Sequence, residues 1–192
     1  MKCSPVGTRF LAAALSLALV FGLARLGMSA PTACEIRIES IDDLKRLSPA
    51  ELGELFAQGD LATIPNGKLE GAVLYKPNRF GKLKVWGANL FWRGKILCDD
   101  TSFVNHWIGA KEWLSSHYEI APSWTDGKPA LILQYPKGTP LFENLRDEMR
   151  CVGPGLFLAV AYQRCPAPCF DGYLAIQEPR CDGHKLHLRC KH

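Results

Sequence analysis

The sequence predicts a mainly β domain: an antiparallel β-barrel or strongly curved sheet, preceded by one or two short helices and followed by a disulfide-stapled tail. Three observations lead there. From Ile64-Pro65-Asn66-Gly67 onward the chain breaks into short apolar runs bounded by Gly, Pro and Asp, which is how strands are punctuated. Eight such runs succeed one another without the repeated helices that parallel strands need for their crossovers. An antiparallel set of this kind hides its edges by curling and closing. With 192 residues, 47% hydrophobic and 22% charged, one core of useful size can form, and a disordered or collagen-like chain is excluded.

The first element is a targeting segment. Lys2 and Arg9 precede an uncharged apolar run of 15 residues, Phe10 to Ala24, which Arg25 closes. Such a run is too short to cross a hydrocarbon core of roughly 30 Å. Residues 1–30 are therefore expected to be a signal peptide cut near Ser29 and Ala30, and the protein to be secreted or periplasmic; an uncleaved anchor is the alternative. Without Lys2, Arg9 and Arg25 the formal charge of +4 falls to +1. The remainder has no long Lys/Arg block, so nucleic acid, whose phosphates demand a strongly basic face, is set aside as a partner.

Residues 31–60 are expected to form a short helical segment. Ser40-Ile41-Asp42-Asp43 is a capping start and Ser48-Pro49-Ala50-Glu51 a stronger one, since Ser can accept an orphan N–H, Pro suits the first turn and Glu can reach back. Leu52, Leu55 and Phe56 recur at helical spacing until Gly59. The barrel domain is placed at 64–178, with strands at 68–75, 91–98, 102–109, 112–120, 130–135, 144–151, 155–163 and 172–178. A basic amphipathic stretch at 79–90 is expected to be helical. Gly153-Pro154-Gly155 supplies a tight reversal between two of the strands. On the first of these, alternation puts Leu145, Asp147, Met149 and Cys151 on one face and Arg146, Glu148 and Arg150 on the other. Asp147 is thus a carboxylate on an apolar face, which needs a partner.

Eight cysteines leave seven once Cys3 departs with the targeting segment. In an exported chain the expectation is disulfide pairing, with Cys98, Cys151, Cys165, Cys169, Cys181 and Cys190 as candidates; Cys98 and Cys151 could pair across the body. The connectivity stays open. Cys34, the odd one, is either free or paired with another molecule, or is the lipid-bearing first residue of a lipoprotein; that lipid or an uncleaved signal would be the only route to a membrane. The tail at 179–192 also holds His184, His187 and His192, yet Cys181 and Cys190 are too widely spaced for the usual zinc ligand pair. Disulfides are preferred, and no metal or cofactor is expected.

Trp86, Phe91, Trp92, Phe103, Trp107, Trp113 and Trp124 crowd one stretch of the chain. In a small barrel such rings fill the interior or line a cavity for an apolar ligand. A hydrolytic motif, a phosphate loop, a zinc-protease helix and a dinucleotide glycine pattern are all absent from the sequence. An acid–base cluster could be drawn only from His106, His117, Glu112, Asp126 and Asp147.

The succession Ser48-Pro49-Ala50-Glu51-Leu52, Ile64-Pro65-Asn66-Gly67, Trp92-Arg93-Gly94-Lys95, Pro122-Ser123-Trp124-x-Asp126-Gly127-x-Pro129-Ala130 and Arg146-Asp147-Glu148-x-Arg150-x-Val152-x-Pro154-Gly155-Leu156-x-Leu158 resembles that of an uncharacterised group of small bacterial proteins, over residues 46–177. The order of these strands is also loosely similar to lipocalin-like and fatty-acid-binding-protein-like barrels. The resemblance implies a barrel and a lipophilic ligand and supplies no catalytic residues.

Three readings follow. The first is an exported, non-enzymatic barrel binding a small apolar or amphipathic molecule, with Trp92, Trp107 and Tyr162 as wall residues and Arg146 or Asp147 as the polar handle. The second is an envelope hydrolase or isomerase with His106 or His117 as base. The third is a structural or adhesive envelope component.

Overall fold

Each apolar run becomes a strand because its alternate residues have one dry interior to face. The structure, a computed structural model, describes residues 37–139, 142–164 and 166–179. Eight strands close on themselves there as one antiparallel meander. They are β1 (Gly67–Tyr75), β2 (Trp92–Leu97), β3 (Ser102–Trp107), β4 (Lys111–Pro122), β5 (Pro129–Gln134), β6 (Leu145–Gly153), β7 (Leu156–Gln163) and β8 (Cys169–Gln177). Every strand pairs with its sequence neighbour, and β8 returns to β1 through Gly71↔Ile176 and Ala72↔Ala175. The eight expected strands are all present, with ends displaced by at most a few residues.

The interior is filled by Leu69, Leu97, Phe103, Leu131, Leu133, Met149, Phe157 and Ile176, all essentially inaccessible to water. A second apolar cluster lies outside the barrel. Helix α1 (Ile41–Leu44) and helix α2 (Pro49–Gln58) lay Leu44, Leu52 and Phe56 on Leu156, Leu158, Val160 and Ala175, the outward residues of β7 and β8. These two strands therefore bury both faces, which explains their nearly continuous apolar sequence. The start of α2 has the full capping box: Ser48 accepts from the Glu51 N–H, and Glu51 accepts from the Ser48 N–H. A third helix, α3 (Gly81–Phe91), connects β1 to β2 and packs Val85 and Ala88 on the interior cluster. Asn89 fastens it by accepting from the Val73 N–H and donating to the Val73 carbonyl.

One glycine is required by contact as well as by conformation. Gly94 has φ +136, and a Cβ there would lie 2.1 Å from the Leu69 carbonyl oxygen. It sits in a bulge of the β2–β3 ladder, between Trp92↔Trp107 and Gly94↔His106. The bulge resets the alternation, so Trp92 and Lys95 both face inward although they are an odd number of residues apart.

The charged outward face of β6 is covered by the β4–β5 connection and the end of α2. Arg150, wholly buried, donates two bonds to Asp126 at 2.7 and 2.8 Å. It also donates to the carbonyls of Phe56, Lys128 and Pro129, and its guanidinium lies 4.5 Å from the Phe56 ring centre. Beside it, Arg146 donates to Glu148 at 2.7 Å and to the Pro122 carbonyl, while Glu148 accepts from Ser123 Oγ and the Trp124 N–H. Arg146, Glu148 and Arg150, the outward residues of the run, are thus the clamp that holds a loop and a helix end to the sheet.

The hydrogen bonds from Arg150 hold the Asp126 carboxyl well below the usual carboxylate range, at about 2, with the Lys128 N–H adding to them. A depressed folded pKa means the contact stabilises the fold fully above the unfolded value near pH 4 and is lost as pH falls toward 2. Thermal unfolding followed from pH 5 to pH 2 should show the wild-type midpoint converging on that of Asp126→Asn across this window. A constant gap between the two curves would contradict the assignment.

The expected disulfide pattern needs correction. Cys151 and Cys169 carry free thiols. Cys98 is disulfide-bonded, so the pairing of Cys98 with Cys151 across the body does not occur. Cys151 lies at the inner edge of the barrel core, and its thiol donates to the Gly153 carbonyl at 3.2 Å. No disulfide joins two described cysteines, and Cys169, at the start of β8, staples nothing. Cys34, Cys165, Cys181, Cys190 and the signal at 1–30 lie outside the described residues.

Candidate functional site

Within the apolar interior stands one charged pair. Lys95 on β2 and Asp147 on β6 are both about 1% exposed, with Lys95 Nζ 3.1 Å from Asp147 Oδ2. Their inward direction follows from the pleat: Lys95 shares a face with Leu97, and Asp147 lies between Leu145 and Met149. Two further polar residues reach the pair by the same rule. Asn105 stands between Phe103 and Trp107 on β3, and Tyr135 continues the inward series Leu131, Leu133 just after β5.

These groups form a network. Lys95 Nζ donates to Tyr135 Oη at 2.8 Å and to Asn105 Oδ1 at 3.2 Å. Asn105 Nδ2 donates to Tyr135 Oη at 2.8 Å, and Trp92 Nε1 donates to Asn105 Oδ1 at 3.1 Å. The ammonium also lies 4.9, 5.3 and 5.8 Å from the ring centres of Phe103, Tyr135 and Trp92, within the range where aromatic faces attract a cation. Burial by itself pulls the Lys95 pKa down, but Tyr135 and Asp147 outweigh it and hold the ammonium above its ordinary value. Burial pushes the Tyr135 hydroxyl up, against the pull of Lys95. Lys95 is thus a fixed cation and unsuited to act as a neutral amine nucleophile.

The network is incomplete at two atoms. Asp147 Oδ1, and Trp107 Nε1 nearer the barrel end, are buried and have no hydrogen-bond partner among the described residues. An unpaired carboxylate oxygen and an unpaired indole N–H are costly in a dry interior, and together they offer one acceptor and one donor. The side chains flanking Asp147 across the ladder are Leu133 and Ala161, and Ala161 in turn pairs with Gly172, so the β7–β8 side is short. Trp107 stands at the barrel end formed by α3, the β3–β4 turn and the β5–β6 connection. There it meets Phe142 at 6.1 Å and Trp113 at 6.5 Å, and Phe142 meets Tyr135 at 5.4 Å.

Of the five residues expected to bind a ligand, the structure brings Trp92, Trp107 and Asp147 to the interior and its mouth. Arg146 and Tyr162 point the other way. Arg146 belongs to the outer clamp and lies 4.3 Å from the Trp124 ring; Tyr162, its ladder partner, packs on Trp124 and Phe170 outside the barrel. Lys95, Asn105 and Tyr135 are the site residues that sequence reasoning missed.

Neither histidine has the orienting carboxylate that base catalysis needs. His106 Nδ1 is buried and unbonded, and burial, with Lys68 nearby, pushes the imidazole below its ordinary pKa. Glu112 stands opposite it in the β3–β4 register without a hydrogen bond between them. His117 is exposed. Among the described residues no group of His, Cys, Asp and Glu could hold a metal ion. An open groove of about 630 Å³ runs outside the barrel between α1 and strands β1 to β3, with His106 and Trp107 on its rim.

No family model matches the chain, and no curated protein matches it. A solved structure, a protein from Thermomonospora curvata, is similar over 70% of this chain and 89% of its own, with a TM-score of 0.48 and 14% identity.

Proposed function

We propose that the protein is an exported carrier or sensor that takes a small amphipathic molecule into the end of its barrel. The observation that carries this reading is the unpaired buried oxygen Asp147 Oδ1 beside Lys95, with the unpaired Trp107 Nε1 at the barrel end. Because Lys95 already neutralises the carboxylate, the remaining oxygen favours a hydrogen-bond donor such as a hydroxyl or amine over a free acid. Trp107, Trp113 and Phe142 would take the apolar part. The filled lower interior, from Leu69 to Ile176, limits the ligand to a short chain. Among the described residues, neither His106 nor His117 has a hydrogen-bonded carboxylate, so the carrier reading is preferred to the hydrolase one.

Tryptophan fluorescence of the protein titrated with octanol, octylamine and octanoate tests this reading. The alcohol or amine should give a saturable change at least about tenfold tighter than the acid, equivalent to about 1.4 kcal/mol. Equal responses to all three, or none, would refute it.

A further inference from the structure

Helix α3 turns its barrel-facing side inward through Val85, Ala88 and Asn89, and its other side is apolar as well. Phe80, Leu83, Trp86, Leu90 and Phe91 are 55, 63, 65, 42 and 53% exposed. At about 100° per residue they fall within an arc of about 140°. Lys82 and Lys84, both exposed, border that arc on its two sides. Ile108 and Trp113, 48 and 55% exposed, extend the exposed apolar surface at the β3–β4 reversal of the same barrel end.

The segment that carries α3 has charge of one sign, and Glu112 stands beside Trp113 at the neighbouring reversal. From Gly71 to Cys98 the chain contains no Asp or Glu. Of its cations, Lys76 pairs with Asp171 and Lys95 is interior. Arg79, Lys82, Lys84 and Arg93 are exposed and have no acidic partner among the described residues.

We propose that α3 and the adjoining turn dock the protein on the surface of a lipid bilayer bearing anionic headgroups. An aromatic-rich apolar arc bordered by lysines is the composition that lies in the bilayer interface, with rings at the headgroup level and cations against the negative surface. Charge decides among occupants: a second copy would bring the cations of α3 and its flanks into contact with one another, whereas an anionic surface complements Arg79, Lys82, Lys84 and Arg93. At 11 residues α3 is too short to cross a bilayer, and among the described residues no helix is long and apolar enough to do so. Docking would place the barrel end with Trp107 at the membrane, although it does not depend on the ligand reading.

The test uses the full chain and leaves its N-terminal segment unaltered, so that the variants isolate α3. Partitioning is measured onto vesicles of phosphatidylcholine alone and onto vesicles with one-third phosphatidylglycerol. The wild type should bind the anionic vesicles more tightly, and salt should weaken that difference. Lys82→Glu with Lys84→Glu should lower binding to the anionic vesicles about tenfold or more and leave binding to the neutral ones unchanged. Leu83→Ser should weaken both, and Trp86→Phe should reduce the fluorescence quenching by brominated lipids, leaving a remainder from Trp113. All these positions are exposed, and circular dichroism checks that the fold persists. Unchanged partitioning of the charge-reversed and Leu83→Ser variants would overturn the proposal. So would a dimer in solution that Leu83→Ser dissociates, since the face would then belong to a second copy.

Discussion

Replacing Arg150 with Ala is expected to cost about 3 to 5 kcal/mol of folding stability, because truncating a fully buried side chain opens a cavity and leaves buried carbonyls without their donor. The side chain is fully buried, and five hydrogen bonds leave it, two to Asp126 and three to the Phe56, Lys128 and Pro129 carbonyls. Its loss strands those acceptors, leaves a cavity against Phe56 and unties α2 from the sheet. Chemical denaturation should show the loss directly, and a thermal midpoint lower by on the order of 10 °C should accompany it. Arg150→Lys should recover little, since a single ammonium cannot span a bidentate carboxylate and three carbonyls at once. A change below about 1 kcal/mol would mean that the clamp is dispensable.

Lys95→Met should be as severe, for a different reason. The variant leaves the Asp147 carboxylate in a dry barrel with no counter-charge, an arrangement expected to cost about 3 to 5 kcal/mol. Removing both charges, as in Lys95→Met with Asp147→Leu, should restore most of that, because a buried pair is often no better for stability than apolar side chains of similar volume. The double variant would then fold without its polar centre. Denaturation of the two single variants and the double gives the coupling between the sites. Additive losses would show that the pair does not interact as its 3.1 Å separation indicates.

These two residues also show what could be read from the chain. On β6 strict alternation separated Asp147 from Arg146, Glu148 and Arg150, and the structure places the first inside and the others outside. The same parity already argues against Arg146 as a partner for Asp147 in one cavity, and Tyr162 follows Arg146 outward through the register. Asn105 interrupts the inward series from Phe103 to Trp107, and Tyr135 ends the inward series of Leu131 and Leu133 with a hydroxyl; both signals are in the chain. Lys95 was harder to place. Counting from Trp92 puts it outside, and only the bulge at Gly94, whose close approach to the Leu69 carbonyl is a tertiary contact, brings both inside. On β4, Trp113 is exposed while Leu114, at φ +68, turns inward beside a register shift opposite Phe103 and Asn105. Strand positions were legible because turn residues mark them; departures from alternation were not, because they arise where two backbones meet. The thiols followed neither rule, since a cysteine's partner is set by the closed fold.

On the proposed reading, the polar centre of the barrel serves a ligand rather than the fold. Calorimetric titration of the preferred octyl compound into the wild type and into the folded Lys95→Met, Asp147→Leu double variant tests it most directly. Binding to the wild type should be saturable and one-to-one, and binding to the variant at least about tenfold weaker. Equal affinity in the two proteins would contradict it.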